Sequence, residues 1–143
     1  MDDEIERTFE ALLAVFEHAG YRKTMGMHIR RGEGDEAVIE CLVAPQFANT
    51  QGVAHGGLLS GLIDTAAGIA SKLAARDAKL RVATVSLTVN YHRPGRVGQT
   101  LRAVGRHVSG RSTPCCSVEV RDPGGNLVAS GVATLRVASR GRS

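Results

Sequence analysis

The sequence predicts an α+β domain in which an antiparallel sheet wraps a single long helix, and three observations carry that prediction. Residues 55–75 form the one long apolar run of the chain. From Arg81 to Val137 the pattern changes to period-two alternation. Before the apolar run stand an amphipathic helical segment and two short alternating segments.

Taken in order, residues 2–18 read as a helix: Ile5, Phe9, Leu12, Leu13 and Phe16 share a face, acids crowd the first turn, and Gly20 follows its end. The N-terminal helical unit is accordingly set at residues 1–20. Residues 25–31 and 36–44 are two strands joined by the turn Gly32-Glu33-Gly34-Asp35, with Ala37, Ile39, Cys41 and Val43 alternating inward. Pro45 stops the second, and a loop over 45–54 leads to the long helix.

After the helix, residues 81–93 alternate, with Val85, Leu87, Val89 and Tyr91 on one face and Thr84, Ser86, Thr88, Asn90 and His92 on the other. Strands at 99–109, 112–121 and 126–137 follow, separated by the turns Ser109-Gly110-Arg111 and Pro123-Gly124-Gly125. Residues 138–143 read as a flexible tail. No repeat or linker divides the 143 residues, so one domain over 1–143 is expected.

Composition narrows the function. Three cysteines, two of them adjacent (Cys115, Cys116), give neither a disulfide framework nor metal-ligand spacing, so a cytoplasmic protein with no metal is expected. The apolar run is broken by His55, Ser60, Asp64, Ser71 and Lys72, which argues against a membrane span. Ten of the 14 acids lie in residues 1–63, whereas the arginines beyond Arg31 follow the helix. A basic second half suits ligand phosphates. With five aromatic residues among Phe and Tyr and no Trp, stacking platforms for single-stranded nucleic acid are few, so no nucleic-acid partner is expected.

Two features of the long helix are foreign to a plain core helix. Gly57, Gly61 and Gly68 each cost about 1 kcal/mol relative to Ala. Asp64 places a carboxylate in an apolar run, where charge is expensive unless paired or used. Together they share one stripe of the helix. At the helix start, His55, Gly56 and Gly57 leave the orphan amides of the first turn little covered, in the positive end of the helix dipole. Such amides suit a developing oxyanion. Asp64 lies roughly 13 Å further along the axis at ~1.5 Å per residue. One helix therefore cannot bring both groups to one atom, whereas two antiparallel copies can. The expectation is a dimer with composite sites.

The pattern Asn49-x5-His55-Gly56-Gly57-x6-Asp64, followed by Asn90-Tyr91-His92-Arg93-Pro94-Gly95, resembles the PaaI-like hotdog-fold acyl-CoA thioesterases over about residues 24–137. The resemblance implies a sheet wrapped as a bun around a central helix, and a homodimer that pairs again into a homotetramer. It aligns Asp64 with the catalytic acid, and Asn49, His55 and the Gly56 amide with the groups around the thioester carbonyl. Thr84 aligns with a water-placing position on the same chain as Asp64. Gly57 falls in the substrate-binding turn, and Ser109, Gly110, Arg111 and Arg93 fall where relatives contact the nucleotide of coenzyme A. No cofactor is implied, coenzyme A being part of the substrate.

The chemistry agrees with that resemblance. A thioester carbonyl is already electrophilic, so hydrolysis needs mainly a polarised oxygen and a positioned nucleophile. Asp64 serves either as general base or as a direct nucleophile. Duller roles stand beside these: Asn49 ties a turn, His55 orients rather than reacts, Thr84 is an ordinary strand residue, and Arg111 is solvated charge. Two other functions remain open. One is an enoyl-thioester hydratase or dehydratase using His55 and Asp64 as an acid–base pair. The other is a non-catalytic acyl-CoA binding protein.

Overall fold

A computed structural model describes residues 2–18 and 20–139. Helix α1 spans Asp3–Phe16, and Asp2 caps it by accepting from the backbone N–H groups of Glu4 and Ile5. Its inner face buries Ile5, Phe9, Leu12 and Phe16, while Leu13, expected inside, is 39% exposed. A second short helix, α2, runs Gly20–Met25 between glycines held at positive φ, 54° at Gly20 and 69° at Gly26. Helix α2 departs from the expectation of one helix over residues 2–18 followed by a strand from Met25, and Met25 closes the helix instead.

Strands β1 (Met27–Arg31) and β2 (Ala37–Leu42) form a hairpin. A short 3-10 turn, Pro45–Phe47, opens the loop to helix α3, Gly56–Ala74. Strands β3 (Arg81–Tyr91), β4 (Thr100–Ser109), β5 (Cys115–Arg121) and β6 (Leu127–Ser139) complete the chain. Residues 138 and 139, expected in a flexible tail, extend β6; the rest of that tail, 140–143, lies outside the described residues, as do Met1 and Ala19 of the N-terminal unit.

All six strands pair antiparallel in one sheet of order β1-β2-β4-β5-β6-β3. The sheet packs around α3, whose residues Leu58, Leu62, Ile63, Ala66, Ala70 and Leu73 are almost completely buried. Burying a Leu or Ile of this kind contributes about 1.5–3 kcal/mol. Close packing needs glycine at two strand positions. A Cβ on Gly105 of β4 would lie 2.8 Å from the Ala66 carbonyl oxygen, and one on Gly131 of β6 would lie 2.9 Å from Ile63 Cγ2. Helix and sheet can therefore approach where either side chain would hold them apart.

Strand β3 carries the feature that matters for the site. Its register with β6 pairs Thr84 with Leu135 and Ser86 with Thr134, so Val85 is an extra residue, a β-bulge. The bulge shifts the alternation by one. Val82 and Thr84 before it, and Leu87 and Val89 after it, all turn toward α3, while Val85 is 58% exposed. Strict alternation had put Thr84 opposite Leu87, and the bulge corrects it.

Candidate active site

Asp64 lies in the middle of α3 and is half-buried. The Thr84 hydroxyl, brought inward by the bulge, donates to Asp64 Oδ1 at 2.6 Å. That length is the range of a hydrogen bond to an ionised carboxylate, stronger than one between neutral groups. One carboxylate oxygen is thereby fixed.

At the start of the same helix His55 is the N-cap residue, with extended backbone (φ −60°, ψ 140°). Its Nδ1 accepts from the Gly57 backbone N–H at 2.7 Å. A backbone N–H can only donate, so Nδ1 carries the lone pair and the ring proton of neutral His55 sits on Nε2. Exposed His55 therefore offers an outward donor. The Gly57 amide is consumed by this cap, which removes it from the first-turn donors open to a substrate. The Gly56 amide meets no acceptor among the described residues.

Tyr91, at the end of β3, closes against that turn. Its hydroxyl donates to the Gly56 carbonyl at 3.3 Å. Asn49 shapes the approach: its side-chain oxygen accepts from Gln51 N–H at 2.9 Å and Val53 N–H at 3.3 Å, a turn-tying role. Asn49, Gly56, Tyr91 and Arg93 line a cleft of about 450 Å³ at this end of the helix.

Gly110 and Arg111 line another cleft, of about 370 Å³, at the opposite end of α3 with His107, Arg76 and Ser71. Its loop is held by the His107 Nε2–H, which donates to the Gly110 carbonyl at 2.7 Å, and Gly110 takes a φ of 89°. Ser109 ends β4, paired with Cys115 across a second bulge.

The chain thus distributes the sequence-nominated residues over three places along the 19 residues of α3, a length of ~28 Å at the standard rise. Asn49, His55, Gly56, Gly57 and Arg93 gather at its start, Asp64 and Thr84 at its middle, and Ser109, Gly110 and Arg111 toward its end. Asp64 and the Gly56 amide do not meet within one chain.

Two tyrosines were missed by the sequence reading. Tyr91 stood in the quoted Asn90-Tyr91-His92 segment, and its inward parity was a usable signal. Tyr21 of α2 lays its ring over Gly61, three residues before Asp64: a Cβ on Gly61 would lie 3.0 Å from its Cζ, with the hydroxyl closer still. Burial, chiefly, and the nearby Cys41 and Asp64 push the Tyr21 phenol above its ordinary range. Nothing in the local sequence marks Tyr21. Among the described residues no His, Cys, Asp and Glu cluster could hold a metal, and no helix is long and apolar enough to cross a membrane.

Comparison with known proteins agrees with this architecture. Residues 51–129 match the Thioesterase superfamily. An uncharacterized acyl-CoA thioester hydrolase of Zymomonas mobilis is 37% identical over 86 residues, covering 59% of this chain and 56% of that protein. The chain thus spans a little over half the length of that relative. The medium/long-chain acyl-CoA thioesterase YigI of Escherichia coli is 27% identical over 84% of this chain and 86% of its own. The solved structure of the E. coli PaaI protein from the phenylacetic acid degradation operon superposes with a TM-score of 0.84 at 24% identity, covering 94% of this chain and 96% of that one. That likeness is one of fold, and it is the hotdog fold expected from the sequence.

Proposed function

The chain belongs to the thioesterase superfamily, and from that premise we propose that it hydrolyses acyl-CoA thioesters to the free acid and CoA. The observation that carries the reading is the Thr84–Asp64 hydrogen bond, which holds a carboxylate in the middle of an otherwise apolar helix. The names of the Zymomonas and E. coli relatives support the same substrate class.

The site is completed by a second copy of the chain. The Gly56 amide and the His55 Nε2–H of one protomer polarise the thioester carbonyl beside Asp64 of its partner. With Oδ1 held by Thr84, Asp64 Oδ2 takes a proton from water as the water oxygen bonds to the carbonyl carbon. The tetrahedral intermediate then collapses, the carbon–sulfur bond breaks, and CoA leaves as thiolate and picks up that proton. Among the described residues the outer edge of β3 pairs with no strand, which suits an extended sheet across such a dimer. A dimer of dimers, acting in the cytoplasm, is the assembly proposed.

Arg111, which has no ion pair among the described residues, sits in the cleft at the end of α3 and suits a nucleotide phosphate of CoA. Arg93 lies at the other end, so the two arginines serve one ligand only if they come from different protomers.

The deciding experiment is thiol release from a panel of aryl and aliphatic acyl-CoAs, with wild type and Asp64→Ala. Turnover that falls by orders of magnitude in the variant, at unchanged assembly, is the expected result. Absence of thiol release from every substrate overturns the hydrolase reading. Loss of the double bond from an enoyl-CoA without thiol release would replace it by hydration. A water-oxygen label that enters Asp64 in place of the product in single turnover would replace the general base by an anhydride.

A further inference from the structure

We propose that Tyr21 sets the acyl-chain length the enzyme accepts, its ring closing the end of the acyl site beside Asp64; the inference rests on the thioesterase reading above. The position of the ring is the first reason. It crosses α3 at Gly61, one helical turn before Asp64, at a place where any larger residue on the helix would collide with it. The phenol thus occupies the helix surface next to the carboxylate that would meet the thioester carbonyl.

The direction of the ligand is the second reason. The cleft holding Arg111 lies at the C-terminal end of α3, Asp64 at its middle, and Gly61 with Tyr21 on the N-terminal side. A thioester with its phosphates at the first and its carbonyl at the second sends its acyl group toward the third. A linear chain running that way meets the Tyr21 ring.

The third reason is that the ring is not needed to hold the fold. Tyr21 is 49% exposed, and α2 buries none of its residues. Its hydroxyl forms no hydrogen bond among the described residues, although it lies within the field of Asp64. Helix α2 spans the six residues Gly20–Met25 and is followed by Gly26, and both glycines are in left-handed backbone. Tyr21 is therefore removable at little structural cost, and its removal takes away the three atoms that lie nearest above Gly61.

The test compares kcat/KM for dodecanoyl-CoA and butanoyl-CoA in wild type, Tyr21→Ala and Tyr21→Phe. Each methylene admitted to an apolar pocket discriminates by about tenfold or more. The dodecanoyl-to-butanoyl ratio is thus expected to rise at least about tenfold in Tyr21→Ala and to stay near the wild-type value in Tyr21→Phe, which keeps the ring. Melting temperatures near wild type confirm that both variants fold. A wild type that turns over, with a ratio in Tyr21→Ala unchanged, overturns the role of Tyr21 and leaves the hydrolase reading standing. No thiol release by wild type from either substrate overturns the chain-length role, and the hydrolase reading falls with it only if the aryl acyl-CoAs release no thiol either.

Discussion

The Thr84 hydroxyl reaches across from β3 to donate a 2.6 Å hydrogen bond to Asp64 Oδ1 on α3. The contact depends on the extra residue Val85, because without the bulge Thr84 would face away from the helix whenever Leu87 faces it. A hydrogen bond to a charged group is worth about 1.5–3 kcal/mol. Thr84→Val is therefore expected to lower kcat/KM by roughly tenfold to a hundredfold, while Thr84→Ser stays within several-fold of wild type. Steady-state thiol release measures both; a Thr84→Val enzyme as active as wild type would show that the bond has no catalytic part.

A composite site predicts complementation. Asp64→Ala and His55→Ala are each expected to be nearly inactive as homodimers. Mixed after reversible unfolding, half the dimers pair unlike chains, and each of these carries one intact site of two. About a quarter of wild-type activity should return, since a two-fold dimer repeats the site twice. No recovery, with mixed dimers demonstrated by mass, would place the whole site in one chain.

Gly105 marks a close approach of strand to helix, 2.8 Å from a would-be Cβ to the Ala66 carbonyl oxygen. That oxygen is backbone and cannot rotate away. Gly105→Ala should cost about 1–3 kcal/mol, lowering the melting temperature by roughly 3–10 °C. Scanning calorimetry checks it, and an unshifted transition would mean that the helix can retreat without loss.

Asp2 both caps α1 and binds Arg76 at 2.7 Å, joining the first helix to the residue just past α3. The Arg76 guanidinium first, and the backbone N–H of Ile5 next, hold the Asp2 carboxyl below its ordinary 3.8. A depressed folded-state value means stability that is present above pH 3.8 and is lost as pH falls through the lower folded value. Wild type should therefore melt above Asp2→Asn near neutrality, and the gap should narrow once the pH falls below 3.8 and close as the carboxyl of the folded protein takes up its proton. A gap independent of pH would assign the effect to something other than the charge.

Burial pushes the Cys41 thiol up to about 11 and raises Cys116 as well, whereas Cys115 is only half-buried. Native protein at pH 8 should thus show at most one readily titrated thiol of its three, Cys115, and all three after unfolding. A disulfide reagent measures this directly. Three fast equivalents in the native state would contradict the packing of β2 and β5 against the core.

Much of the fold was written locally. The long apolar run fixed α3, period-two alternation fixed the four later strands, and the spacing from His55 to Asp64 is what leads to the proposal of two chains for one site. These are properties of neighbours in sequence, set by helical rise and strand pleat. The order β1-β2-β4-β5-β6-β3 and the Val85 bulge were not written there, because pairing register depends on the partner strand. Nor was the cap that takes the Gly57 amide, which rests on the rotamer of His55, nor the second helix that carries Tyr21 onto Gly61. The sequence by itself determined which residues are candidates for the chemistry and how far apart His55 and Asp64 lie on one helix. Only tertiary structure decided which of them touch, since contact between α2, α3 and β3 is made by packing across the chain rather than along it.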